Sequence, residues 1–151
     1  YIMRYTAFIR FFFVVSCCFF WSSKVKAQED LYVELEKIEL GIERNRKDSE
    51  TRIVQIRSQA KEKSDINLVA ETHVKQGDMH YRFEEYNEAL RAYEIALDIF
   101  KNKNDTVAVE RVLNHLASTY TVKGDYLNSL EYYLKGYSLK LGLFYLQHCL
   151  F

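Results

Sequence analysis

Tyr86-Asn-Glu-Ala89-Leu90-Arg-Ala-Tyr93-Glu-Ile-Ala96-Leu97 decides how this chain is read, because its landmarks return forty residues later as Tyr126, Ser129-Leu130, Tyr133 and Gly136. Upstream, Gly77 is matched in the same way by Ala117. Each matched pair is small with small, leucine with leucine or tyrosine with tyrosine, so what repeats is packing volume. Ala89, Tyr93, Ala96 and Ile99 recur at three- and four-residue spacing, as do Leu113, Leu116 and Tyr120, which is one face of a helix. Small residues at these places let helices approach closely, and tyrosines fill the wedges between them.

The composition agrees with an all-α chain. It has 151 residues, 48% of them hydrophobic, with no proline and five glycines. That suits a single helical domain with few forced breaks. Asn87 and Asp125 stand where short polar side chains cap a starting helix, Asp105 is placed to cap a helix beginning at Thr106, and Gly124 is placed to end one. One further period back from Ala89 lies Ser49. Asp48-Ser49-Glu-Thr-Arg-Ile53-Val-Gln-Ile56 then reads as the second helix of a degenerate unit whose first helix carries Leu31, Leu35, Ile38 and Ile42. The expected organisation is a degenerate helical hairpin over 28–64, units over 65–104 and 105–144, and an apolar tail over 145–151. That makes six helices in three hairpins, close to the lower limit for a stacked array.

Leu113-Asn-His-Leu116-Ala117-Ser-Thr-Tyr120 followed by Gly124-Asp125-Tyr126, and Tyr86 to Leu97, resemble the tetratricopeptide repeat. His73, Gln76 and Glu84 depart from that pattern, which has two bulky residues and a glycine there, and the closing proline is missing. The usual period is 34 residues; the extra six fall around Lys101 to Asp105, which predicts a longer second helix. Units of this length look like those of bacterial exported signalling proteins. The resemblance implies a right-handed superhelical stack of antiparallel hairpins whose first helices line a groove. Glu71, Val74, Asp78 and Tyr81 of one unit, with Arg111, Asn114, Ser118 and Thr121 of the next, would then face a protein or peptide ligand.

Residues 1–27 read as a signal peptide. Arg4 and Arg10 precede the apolar run Phe11 to Trp21, and Val25-Lys26-Ala27 offers a cleavage point before Gln28. A lipoprotein signal ending at Cys17 and a retained anchor are the alternatives, though eleven apolar residues fall short of the ~20 that span a bilayer. The chain is therefore expected to be exported and periplasmic, touching membrane only through this segment. Its removal leaves an excess of about four carboxylates and no basic block, which argues against nucleic acid. It also leaves Cys149 as the one cysteine, too few for a disulfide framework.

No phosphate-binding loop, nucleophile elbow or zinc motif occurs, so neither an enzyme nor a cofactor is expected. His73, His80 and His115 read as surface or packing residues, with His80 and Glu84 one turn apart. Tyr86, Tyr93, Tyr126 and Tyr133 read as packing, and Tyr132 and Tyr137 as exposed. In place of a polar turn the second unit runs into Leu141-Gly-Leu-Phe-Tyr145, so the chain reads as a truncated or frame-shifted part of something longer. The first functional expectation is an exported scaffold for protein–protein interaction. The alternative is the sensory front of a membrane-bound signalling protein with a histidine kinase or DNA-binding output.

Overall fold

The computed structural model describes Lys26, residues 28–38 and residues 45–148, with side chains described as far as Gly142. The signal segment (save Lys26), Ile42 and Cys149 to Phe151 lie outside the described residues. The chain divides into two compact units, Tyr1–Lys37 and Ile38–Phe151. The helix α1 (28–38) buries Leu31, Leu35 and Ile38, one per turn. Then follow α2 (Arg46–Glu62), α3 (Ile66–Arg82), α4 (Tyr86–Asn102), α5 (Thr106–Val122) and α6 (Tyr126–His148). The chain is all-α among the described residues, and α2 to α6 pack each against the next in sequence.

The links explain the regularity. Each of α2 to α5 has 17 residues, and each ends on a residue in the left-handed region: Ser64 at φ 56°, Glu84 at 62°, Asn104 at 56° and Gly124 at 80°. At every link two reversed bonds close the helix, as in Asp65 N–H to Ala60 O at 2.8 Å and Ser64 N–H to Lys61 O at 3.0 Å. This is the Schellman arrangement, which satisfies the last carbonyls. The residue donating the longer-range bond is also the N-cap of the next helix. Asp65, Asp105 and Asp125 accept from Leu68, Ala108 and Asn128 N–H at 3.1, 3.0 and 3.2 Å. One three-residue link therefore stops one helix and starts another. The structural module is twenty residues long, half the sequence period.

Two expectations are corrected by this. The six residues beyond the usual period do not lengthen the second helix alone in the unit where they fall, because its two helices, α3 and α4, are equal in length. Asn87 is not a cap; it sits inside α4, and its side chain accepts from Lys123 Nζ at 2.7 Å. The N-cap of α4 is Glu85, which makes no side-chain cap bond. Its carboxylate is held instead by Arg46 at 2.6 Å and His80 at 2.7 Å. His80 thus pairs with Glu85, not with Glu84.

The core follows the matched small residues. Ser49, Ala89 and Ser129 are all buried, as are Gly77, Ala96, Ala117 and Gly136. α3 packs most extensively on α4 and α5 on α6, while Leu90, Tyr93 and Leu97 of α4 join Val109, Val112 and Leu116 of α5 in one cluster. Tyr126 and Tyr133 depart from the packing expectation at 70% and 42% exposed. Of their counterparts Tyr86 is partly and Tyr93 fully buried, because α4 has a helix on each side. Tyr132 departs the other way, stacking on Tyr120 at 5.4 Å with the rings 10° apart.

Backbone strain at the links should be measurable in isolation. Nothing lies within 4 Å of a Cβ built on Gly124, so Gly124→Ala should cost about 1 kcal/mol from conformation alone. Glu84→Gly should stabilise by roughly 0.5–1 kcal/mol. Denaturant midpoints that move in the same direction for both variants would contradict the left-handed assignment.

His73 is the weak point of the core. Its Nδ1 is buried without a hydrogen-bond partner among the described residues. Burial, then the charges of Arg57 and Lys61, push its pKa down from 6.5 to about 4. As pH falls, the unfolded chain takes the proton first, so stability present above pH 6.5 is lost on the way down to about 4. That loss amounts to roughly 3 kcal/mol at most. His73→Leu should raise stability at neutral pH by about 1–2 kcal/mol and flatten the acid limb, which urea titrations at pH 7 and pH 4.5 would show.

Candidate functional site

Six of the eight residues expected at a ligand face gather along α3 and α5. Glu71 and Arg111 occupy equivalent positions in successive units, and the guanidinium donates to the carboxylate at 2.5 Å. Opposite charges at one register place thus tie the two helices together. Both side chains are part-exposed, so the pair contributes about 0.2–1 kcal/mol. It mainly fixes where a charged fork and a carboxylate stand. Asn114 lies one turn further along and donates to Glu110 Oε1 at 2.8 Å.

Asp78 is the organising carboxylate. It accepts from the Tyr93 hydroxyl at 2.7 Å, and His115 Nδ1 stands 3.5 Å from the same oxygen. The His115 ring stacks on Tyr93 with centroids 5.1 Å apart and planes 20° apart. Burial, then the Asp78 charge, raises the Tyr93 pKa far above its usual value, so the phenol stays protonated and donates. Forty residues on, the arrangement returns in neutral form: Ser118 Oγ and Tyr133 Oη lie 3.2 Å apart. A tyrosine reaching back fifteen residues to the first helix of its own unit is a repeated device.

Tyr93 takes this position because Gly77 lets it. A Cβ on Gly77 would come within 2.5 Å of the Tyr93 ring, and Tyr93 itself is 1% exposed. A backbone contact in the core therefore sets the height at which the hydroxyl meets Asp78.

Two clefts open over these groups. One, of about 380 Å³, is lined by Asp78, Tyr81, Arg82, Tyr93, His115 and Ser118. The other, of about 410 Å³, is lined by Val107, Glu110, Arg111, Asn114, His115 and Ser118. They share His115 and Ser118, so they adjoin along α5. Tyr81, at the far end, meets Tyr86 edge-on at 5.8 Å.

Two expected residues stand apart from these clefts. Val74 is 1% exposed and part of the core cluster, because the apolar stripe of α3 turns inward at that position. Thr121 is exposed but lines neither cleft, and its hydroxyl donates to Ala117 O at 2.9 Å and shares a 2.6 Å bond with Ser129 of α6. His115 is the residue that sequence reasoning missed. Its neighbours Asp78 and Tyr93 come from two other helices, and the one available hint was its place one turn before Ser118. Among the described residues no cluster of His, Cys, Asp or Glu could hold a metal ion, and no helix is long and apolar enough to cross a membrane. No family model matches this chain, and no curated protein or solved structure is significantly similar to it.

Gly77→Ala should cost about 1–3 kcal/mol by overpacking. It should also move Tyr93 off Asp78, altering the ring-current shift of His115 in a proton spectrum. A folded variant with an unchanged His115 signal would contradict the close approach.

Proposed function

We propose that this chain is a tetratricopeptide-type scaffold that holds a peptide segment of a protein partner along α3 and α5. In this reading the helices form antiparallel hairpins in a right-handed superhelix, with α3 and α5 as first helices on its concave side. The observation that carries the proposal is the pair of adjoining clefts, lined by side chains of both charges, an amide, an aliphatic hydroxyl, two tyrosine rings and an imidazole. Such a lining can satisfy a peptide backbone along its length while reading few side chains. The charges in the row are already matched to one another, as in Glu71 with Arg111, so a bound segment meets a pre-arranged surface that needs little reordering. Export to the periplasm through residues 1–27 is part of the same proposal.

The test is an array of immobilised extended peptides probed with the purified chain. Arg111→Ala combined with Asn114→Ala should leave helicity unchanged and move stability by less than about 1 kcal/mol. For peptides that bind, affinity should fall about 10- to 100-fold, the equivalent of one charge-assisted bond. Binding that survives this change but fails with Tyr132→Ala and Tyr137→Ala would place the site on α6 instead.

A further inference from the structure

α6 carries two apolar faces, and among the described residues only one of them is buried. Ser129, Tyr132, Gly136 and Leu139 turn toward the rest of the fold, with Tyr132 and Leu139 packed against the core cluster. Tyr126, Leu127, Leu130, Tyr133, Leu134, Tyr137 and Leu141 are each between 40% and 84% exposed. At 3.6 residues per turn these seven fall within about a third of the helix circumference. They form one continuous stripe on the side away from the buried face. The matched positions Leu90, Tyr93 and Leu97 in α4 are buried, because α5 lies over them. Leu130, Tyr133 and Tyr137 thus repeat a helix-receiving face with no helix on it among the described residues, whereas Leu127, Leu134 and Leu141 stand where α4 carries the exposed Asn87, Glu94 and Lys101.

We infer that this stripe is a self-association surface, by which two copies of the chain pair through α6 around a two-fold axis. Three observations select a second copy as the occupant. Leu127, Leu130, Leu134, Tyr137 and Leu141 follow alternating three- and four-residue spacing, the seam by which two helices interlock side chains. A two-fold axis beside position 132 sets Leu130 of one copy against Leu134 of the other, and Leu127 against Tyr137, so one stripe complements itself. The area is also sufficient. With large apolar residues of about 200 Å² each, the exposed fraction amounts to roughly 800 Å² per copy, one side of a standard specific interface. Finally, no charge lies on the stripe to repel a copy. On its flanks stand Lys140, next to Tyr133 on the helix circumference and carried by the two-fold axis to opposite ends of the contact in the two copies, and Glu131, which Lys135 neutralises along the helix at 2.5 Å. The stripe meets the clefts at Tyr133, whose hydroxyl lies 3.2 Å from that of Ser118, but none of its leucines lines either cleft, so the inference does not depend on the peptide-binding reading.

Sedimentation equilibrium of the full-length chain tests it. The chain should be predominantly dimeric at about 100 µM, within the range such interfaces span. Leu130→Glu with Leu134→Glu should raise the dissociation constant at least about 100-fold, since each dimer would bury four carboxylates. Both positions are more than half exposed in the single chain, so circular dichroism should not change. Leu127→Glu, at 84% exposure, gives a second variant that cannot disturb the fold and should also weaken the dimer. A monomeric parent chain would overturn the proposal. So would a dimer indifferent to these changes, or open-ended oligomers that the variants do not dissolve.

Discussion

Between successive helices the backbone must reverse within three residues and leave no buried amide or carbonyl unpaired. A left-handed residue does this by turning the next two amides back onto the last carbonyls, and the second of those residues is already the cap of the following helix. Because Ser64, Glu84, Asn104 and Gly124 stand twenty residues apart, each of α3 to α6 begins at the same phase relative to the helix before it. Side-chain positions then recur in space as they do in sequence. The buried series Ser49, Ala89 and Ser129 and the tyrosine pair Tyr93 and Tyr133 are consequences of that phase. Only at Gly124 is the left-handed place filled by the residue that favours it most; Glu84 adopts it at a conformational cost.

The same phase builds the candidate site. Equivalent positions in successive units lie side by side on α3 and α5, so a change of residue type between units becomes a change of chemistry along a row. Glu71 and Arg111 are such a pair, and their opposite charges become an ion pair. Asp78 and Ser118 are another, each meeting a tyrosine from the next helix. The row mixes charge, amide and hydroxyl because the repeat fixes where these residues stand without fixing what they are.

Much of this was legible in the chain. Matched small residues gave the helical faces and their depth, and Asp105, Asp125 and Gly124 were recognisable as helix punctuation. Glu84 was not, because nothing in a glutamate announces a left-handed conformation, and Asn87 misled because a good capping residue can also sit inside a helix. Val74 and Thr121 were placed by analogy with a ligand-facing row, whereas their actual direction depends on how α3 and α5 rotate about their axes. Tyr126 and Tyr133 repeat the sequence of packing tyrosines, yet their burial depends on a neighbour that the repeat pattern does not supply. The cluster of Asp78, Tyr93 and His115 joins three helices, and no local spacing encodes it.

The twenty-residue module is the claim on which packing, cleft and α6 stripe all rest. Backbone carbon chemical shifts of the labelled chain in solution read it directly. Helical shifts should run through 46–62, 66–82, 86–102 and 106–122. They should be broken at residues 64, 84, 104 and 124, each of which should show the strong intraresidue amide-to-α-proton contact of a left-handed residue. Breaks at any other interval, or a helical shift at Glu84, would contradict it.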